Sequence, residues 1–185
     1  MKTSNKILAV LSGFIGIAFL CLIIGAKASL KEYVNETIIG NGVVKTETRI
    51  VDTFIGLDVS NNIKLTLTKG ENKLELEADE NVLPYIETTV KNEILHVKFK
   101  KGTSLSTKKS VVVRASMLRV KSLKSSSSAQ IETKDDFDGD QVDLHVSSGS
   151  KIMLNGLQAQ SIELKLSSNG KLTAENKVVV QNGKA

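Results

Sequence analysis

LKSSSSAQI (residues 123–131), LHVSSGSKI (144–152) and LKLSSNGKL (164–172) are three versions of one pattern, spaced 21 and 20 residues apart. Ser126, Ser147 and Ser167 share one position of it, and Ser127, Ser148 and Ser168 the next. Ile131, Ile152 and Leu172 share a later one, and upstream Phe137 matches Leu157. A period near twenty marks a supersecondary unit that buries its apolar face only by stacking on its neighbours. Alternation supplies that face. Strands Val142-Leu144-Val146 and Ile162-Leu164-Leu166 turn aliphatic side chains inward, Ser, Gly and Asn turn the corner, and a short strand such as Ile152-Met153-Leu154 follows. Such coils stack about 4.8 Å apart. A β-sandwich would use similar hairpins but does not require successive strands to keep one register over 20–21 residues. The expected fold is all-β, a parallel β-helix over residues 46–185.

Working outward, Phe54-x-Gly56-Leu57-x-Val59-Ser60-Asn61-Asn62-Ile63 echoes the pattern with a shorter turn. Two N-terminal hairpins are expected next. Ile63–Leu67 and Leu74–Ala78 alternate on either side of Lys69-Gly70-Glu71-Asn72, and Ile86–Val90 and Ile94–Phe99 on either side of Lys91-Asn92-Glu93. Between them Asp79–Leu83 has room for one helical turn ended by Pro84. Val111-Val112-Val113 reads as a fully buried strand, and residues 29–45 as a polar linker with a turn at Gly40-Asn41-Gly42.

At the other extreme, Ile7 to Ala26 is uncharged and follows Lys2 and Lys6. Twenty helical residues at about 1.5 Å each cover the roughly 30 Å of a bilayer's hydrocarbon core. Residues 1–28 are therefore expected to be a transmembrane anchor holding the domain on the periplasmic or extracellular side. The alternative is a signal segment cleaved at Ala26-Lys27-Ala28, with secretion of the rest. Cys21, the sole cysteine, lies inside this run, so no disulfide forms within the chain.

The formal charge of +5 owes three units to Lys2, Lys6 and Lys27, which leaves 22 basic and 20 acidic groups after residue 28. A nearly neutral domain with no Trp and few aromatics offers neither the cationic face nor the stacking platform that nucleic acid requires. Two histidines and one cysteine make no zinc site, and no phosphate-binding glycine motif is present, so no cofactor is expected. Asp135-Asp136-Phe137-Asp138-Gly139-Asp140 gathers oxygens of the kind calcium takes. Its glycine is misplaced for an EF-hand, however, and no bidentate Glu follows, so it reads as a solvated loop and no metal is expected.

Asp143, His145 and Ser147 alternate along one strand and resemble a catalytic triad in composition only. Residues i and i+2 lie about 6.5–7 Å apart along a strand, too far for a nucleophile and its base. A flat outer face also supplies no oxyanion hole, so no catalytic residue is assigned. The repeat register instead sets Glu163 beside Asp143 and Lys165 beside His145, an acidic column next to a basic one. These four are the candidate binding residues.

The stretch GLDVSNNIKLTLTKGENKLELEADENVLPYIETTVKNEILHVKFK (56–100), followed by Ser/Gly-rich repeats, resembles the bacterial head GIN domain family of auto-transporter adhesin type. Residues Glu77 to Ile86 carry its most specific part, and the likeness spans about residues 40–174. It implies a right-handed β-helix and an envelope location, and brings no catalytic motif. Two departures stand out. Asn61-Asn62 replaces the Gly-Gly common in the family, and the end at Val178–Ala185 is one or more coils short; an uncapped last coil exposes unpaired backbone groups, so either truncation or a covering partner is expected there. The expected function is a non-enzymatic, membrane-tethered scaffold or adhesion module that binds protein or glycan. The alternatives are an envelope-stress or assembly component pairing with a protein partner, and a glycan-active enzyme. No oligomeric state is implied.

Overall fold

The structure is a computed structural model that describes residues 36–107 and 109–181. Its strands in chain order are β1 (Glu36–Ile39), β2 (Val44–Thr48), β3 (Gly56–Val59), β4 (Lys64–Lys69), β5 (Lys73–Asp79), β6 (Ile86–Lys91), β7 (Ile94–Phe99) and β8 (Thr103–Ser106). There follow β9 (Val112–Met117), β10 (Ser122–Ser125), β11 (Gln130–Thr133), β12 (Asp136–Val146), β13 (Lys151–Leu154), β14 (Gly156–Leu166), β15 (Lys171–Ala174) and β16 (Val178–Val180). The all-β expectation holds. Two seven-stranded sheets form, ordered β16-β14-β12-β10-β3-β7-β6 and β15-β13-β11-β4-β9-β5-β2, and β1 pairs with β8 separately. The proposed membrane or signal helix falls in residues 1–28, outside the described residues. Among the described residues no helix is long and apolar enough to cross a membrane.

The repeat pairs as its spacing requires. β10, β12 and β14 are parallel neighbours, with Leu123 opposite Leu144 and Leu144 opposite Leu164. Likewise β11, β13 and β15 are parallel, with Ile131, Ile152 and Leu172 in line. The inner ladder of the first sheet therefore runs Leu95-Leu57-Leu123-Leu144-Leu164. Its first four members are at most 2% exposed. Leu164 and Leu166, by contrast, are 48% and 49% exposed, because β16 pairs with β14 only over Leu157–Ala159.

Four corners join the two sheets, each with two consecutive residues at positive φ: Asn61-Asn62, Ser127-Ser128, Ser148-Gly149 and Ser168-Asn169. Glycine and, less readily, asparagine adopt this backbone at low cost. Asn61 (φ 65°) and Asn62 (φ 58°) both adopt this left-handed conformation. Backbone bonds tie one corner to the next, as in Ser126 N–H to Val59 O and Ser147 N–H to Ser125 O, both 3.0 Å. Inside the corner the Ser150 hydroxyl donates to Ser125 O (2.6 Å), and the Ser125 hydroxyl to Ala129 O (3.0 Å). Ser127 (φ 51°) has no glycine-like freedom. Ser127→Val is therefore expected to lower stability by about 1–2 kcal/mol, while Ser127→Gly leaves it unchanged or slightly higher. Urea titration of the two variants checks the opposite signs.

Several local expectations are corrected. The early echo has a turn of full length. Leu65 is opposite Ile131, and Ile63 takes the inner corner position held in later coils by Ala129, Ser150 and Gly170. The first expected hairpin does not form, because β9 lies between β4 and β5, parallel to one and antiparallel to the other. Residues 70–72 arch over its end. Gly70 N–H donates to Met117 O (3.2 Å), and Asn72 Nδ2 to Phe54 O (2.9 Å) and Ser116 O (3.3 Å). Alternation specifies which face is buried but not which strand is the neighbour.

The second hairpin, β6–β7, is antiparallel as expected. The helical turn falls later than expected, as a 3-10 turn at Leu83–Tyr85 that contains Pro84 rather than stopping before it; proline is tolerated in a first turn. Val112 points outward and is half-buried, so only Val111 and Val113 of the valine run are buried. Residues 36–39 and 44–48, largely within the stretch read as a linker, are strands, and β2 pairs antiparallel with β5.

Candidate binding surface

Alternation along β12 and β14 buries Val142, Leu144 and Val146 and turns Asp143, His145, Glu163 and Lys165 outward. The register sets Asp143 opposite Glu163 and His145 opposite Lys165, so the four candidate residues share one outer face. The closest polar contact among them runs along a strand rather than between strands: Lys165 Nζ lies 2.7 Å from Glu163 Oε1. Two long side chains bridge a spacing that Asp143, His145 and Ser147 do not. No hydrogen bond joins those three among the described residues.

The Lys165 ammonium hydrogen-bonds the Glu163 carboxylate and holds its pKa below the ordinary glutamate value. The same hydrogen bond raises the pKa of Lys165. A depressed carboxyl pKa means that any contribution of the pair is present above the ordinary range of Glu and is lost as pH falls through the folded-state midpoint. Because the pair is in water, its effect is read by titration rather than by stability. Carboxyl NMR of Glu163 is expected to show a low midpoint that returns to the ordinary value in Lys165→Ala.

The basic column extends further than these four residues. His96, Asp58, Lys124, His145 and Lys165 are successive Cα partners across five strands. His96 Nδ1 lies 3.2 Å from Asp58 Oδ2. Six residues along each coil, beyond the corner, a second outward column runs Lys64-Gln130-Lys151-Lys171. Sequence reading missed this second column, although the alignment that set Lys165 beside His145 also sets Lys171 beside Lys151. The signal was present and unused.

The acidic run is distributed rather than gathered. Asp135 accepts from Lys69 N–H (2.7 Å) and Asp138 from Lys69 Nζ (2.7 Å). Asp136 accepts from Asn155 Nδ2 (2.7 Å) and Asp140 from Arg119 (2.9 Å). From Asp136 onward the run is strand β12 rather than the loop expected, and no metal-holding group of acidic, His or Cys side chains occurs among the described residues. A hollow of about 410 Å³ is lined by Ile55, Arg119, Lys121, Asp140, Gln141 and Gln160 among others. Both its cations are engaged, Arg119 by Asp140 (2.9 Å) and Lys121 by Glu93 (3.4 Å).

Residues 53–185 match the family model described as "Putative auto-transporter adhesin, head GIN domain". Among solved structures, the chain is similar to a "putative adhesin" from Parabacteroides merdae ATCC 43184. Identity is 19% and TM-score 0.66, covering 75% of this chain and 59% of that one. It is also similar to a "putative adhesin" from Bacteroides fragilis NCTC 9343, with 14% identity and TM-score 0.58 over 79% of this chain and 73% of the other. A third, a "Putative lipid binding protein" from Parabacteroides distasonis ATCC 8503, has 16% identity and TM-score 0.57, with coverage of 77% and 70%. The chain thus spans 59% of the length of the first of these, and at such identities the likeness is one of fold. No curated protein matches the chain.

Proposed function

The chain belongs to the head GIN domain family, and from that membership we propose that it is a non-catalytic binding module of the cell envelope, of adhesin type. In this reading the stacked strands form a right-handed parallel solenoid whose interior serves stability and whose outer columns meet the ligand. The apolar run from Ile7 to Ala26 tethers it to a membrane. One observation carries the proposal: Asp143 with Glu163, and His145 with Lys165, repeat in register on an outer face that packing does not need. A rigid stacked sheet presents such side chains at fixed spacing, which lowers the ordering cost of binding an extended partner.

The test is retention of the full chain, held in neutral detergent, on an array of envelope glycans and surface proteins. Retention that falls in the double variant His145→Asp/Lys165→Asp supports the reading. Absence of any retained ligand contradicts it, and turnover of an arrayed glycan would assign the fold to an enzyme instead.

A further inference from the structure

The cations of this domain differ in their partners. Lys45, Arg49, Lys69, Arg114, Arg119, Lys121, Lys134 and Lys165 each face a carboxylate within ion-pair distance. The ammonium groups of Lys64, Lys124, Lys151 and Lys171, on the two flanks of the stacked corners, have no hydrogen-bond or ion-pair partner among the described residues, a state they share with Lys73, Lys91, Lys98, Lys100, Lys109 and Lys177. For two of them the placement is unfavourable by itself. Lys151 and Lys171 are direct Cα partners, whereas Lys124 lies between Asp58 and His145. Like charges opposite one another on neighbouring strands destabilise a sheet. Between the flanks run the serines. Ser126, Ser147 and Ser167 lie one residue before the left-handed corner, and no side-chain partner engages their hydroxyls among the described residues.

We propose that this corner binds a linear acidic polysaccharide lying parallel to the stack, its carboxylates paired with Lys64, Lys124, Lys151 and Lys171 and its ring hydroxyls with the serines. The inference rests on the binding-module reading above and names the ligand class for that same face. A repeating polymer matches a repeating surface: coils rise about 4.8 Å, Lys151 and Lys171 stand in adjacent coils of one column, Lys124 flanks the corner on the other side, and Ser126, Ser147 and Ser167 lie between them. Three carboxylates lie on the first sheet beside the corner. Asp58 is taken by His96 and Glu163 by Lys165, and Asp143 is the Cα partner of Glu163. The ring hydroxyls of a polysaccharide can donate to such carboxylates while its own carboxylates pair with the lysines.

The probe is polygalacturonate, one carboxylate per ring, added to the full chain in phosphatidylcholine nanodiscs and followed by light-scattering titration. Neutral dextran is the control, and capture of phosphatidylglycerol vesicles the second arm. Binding that weakens with salt and falls roughly tenfold in Lys124→Ser/Lys151→Ser/Lys171→Ser is the expected result, since several weak exposed pairs act together. All three lysines are surface residues, so the variant folds, and a thermal melt equal to or above the parent verifies it. Parent-like affinity in the variant overturns the inference, as does binding to the vesicles but not to polygalacturonate. Retention of proteins or neutral glycans on the array, indifferent to the three lysines, would overturn this inference alone. An empty array would remove the reading beneath it.

Discussion

Phe137→Ala is expected to destabilise the domain by about 3–5 kcal/mol, the usual cost of removing a buried aromatic ring and leaving its space unfilled. Phe137 is 1% exposed and is the Cα partner of Leu157 in the next coil. Its neighbours Asp136 and Asp138 point to solvent, so the ring cannot be replaced from the same strand. The interior has little means of closing the gap, because each inner position is already flanked by an in-register residue of the adjacent coil. Denaturant titration checks the magnitude, with Asp138→Ala on the outer face as a control that should stay close to the parent. A loss below about 1 kcal/mol would mean that the ring is not packed inside.

Arg49→Ala is expected to cost about 2–3 kcal/mol, the range for losing hydrogen bonds to a charged donor. Its guanidinium holds three separate parts of the N-terminal half. Nη1 donates to Ile86 O (2.6 Å) and Thr88 Oγ1 (3.2 Å), Nη2 to Leu83 O (2.9 Å), and Nε to Glu47 (2.8 Å). The 3-10 turn and the start of β6 are thereby fixed to the segment following β2. Arg49→Lys should recover only a minor part, because a lysine ammonium has no planar fork to reach two carbonyls at once. Full recovery by lysine would show that charge alone matters. Hydrogen exchange of residues 83–90 should accelerate in both variants, more in the alanine.

The later coils were legible because each inner position repeats its chemistry at 20–21 residues: Leu123, Leu144 and Leu164 on one strand, Ile131, Ile152 and Leu172 on the other. The same arithmetic gave the neighbours of Asp143 and His145 before any coordinates. It failed where the chain leaves the repeat. β4 and β5 alternate as hairpin strands would, yet nothing in Leu65-Leu67 or Leu74-Leu76 says that Val113 and Ala115 will come between them. Partner choice there depends on a segment some 35–50 residues distant. The Arg49 clamp was equally hidden, because three of its acceptors belong to strand and turn backbone or a threonine hydroxyl rather than to an acidic partner visible in sequence. Ile63 misled for a simpler reason. An aliphatic residue after two asparagines looks like the start of the next strand, but it fills the corner that smaller residues occupy in later coils.

The central claim is that successive coils lie parallel and in register. The most direct measurement is the pattern of NOEs in a sample with labelled leucine and isoleucine methyl groups. The account predicts contacts linking Leu57 with Leu123, Leu123 with Leu144 and Leu144 with Leu164, and separately Ile131 with Ile152 and Ile152 with Leu172. Close Hα–Hα contacts between residues 142–146 and 162–166, the mark of antiparallel neighbours, would contradict it.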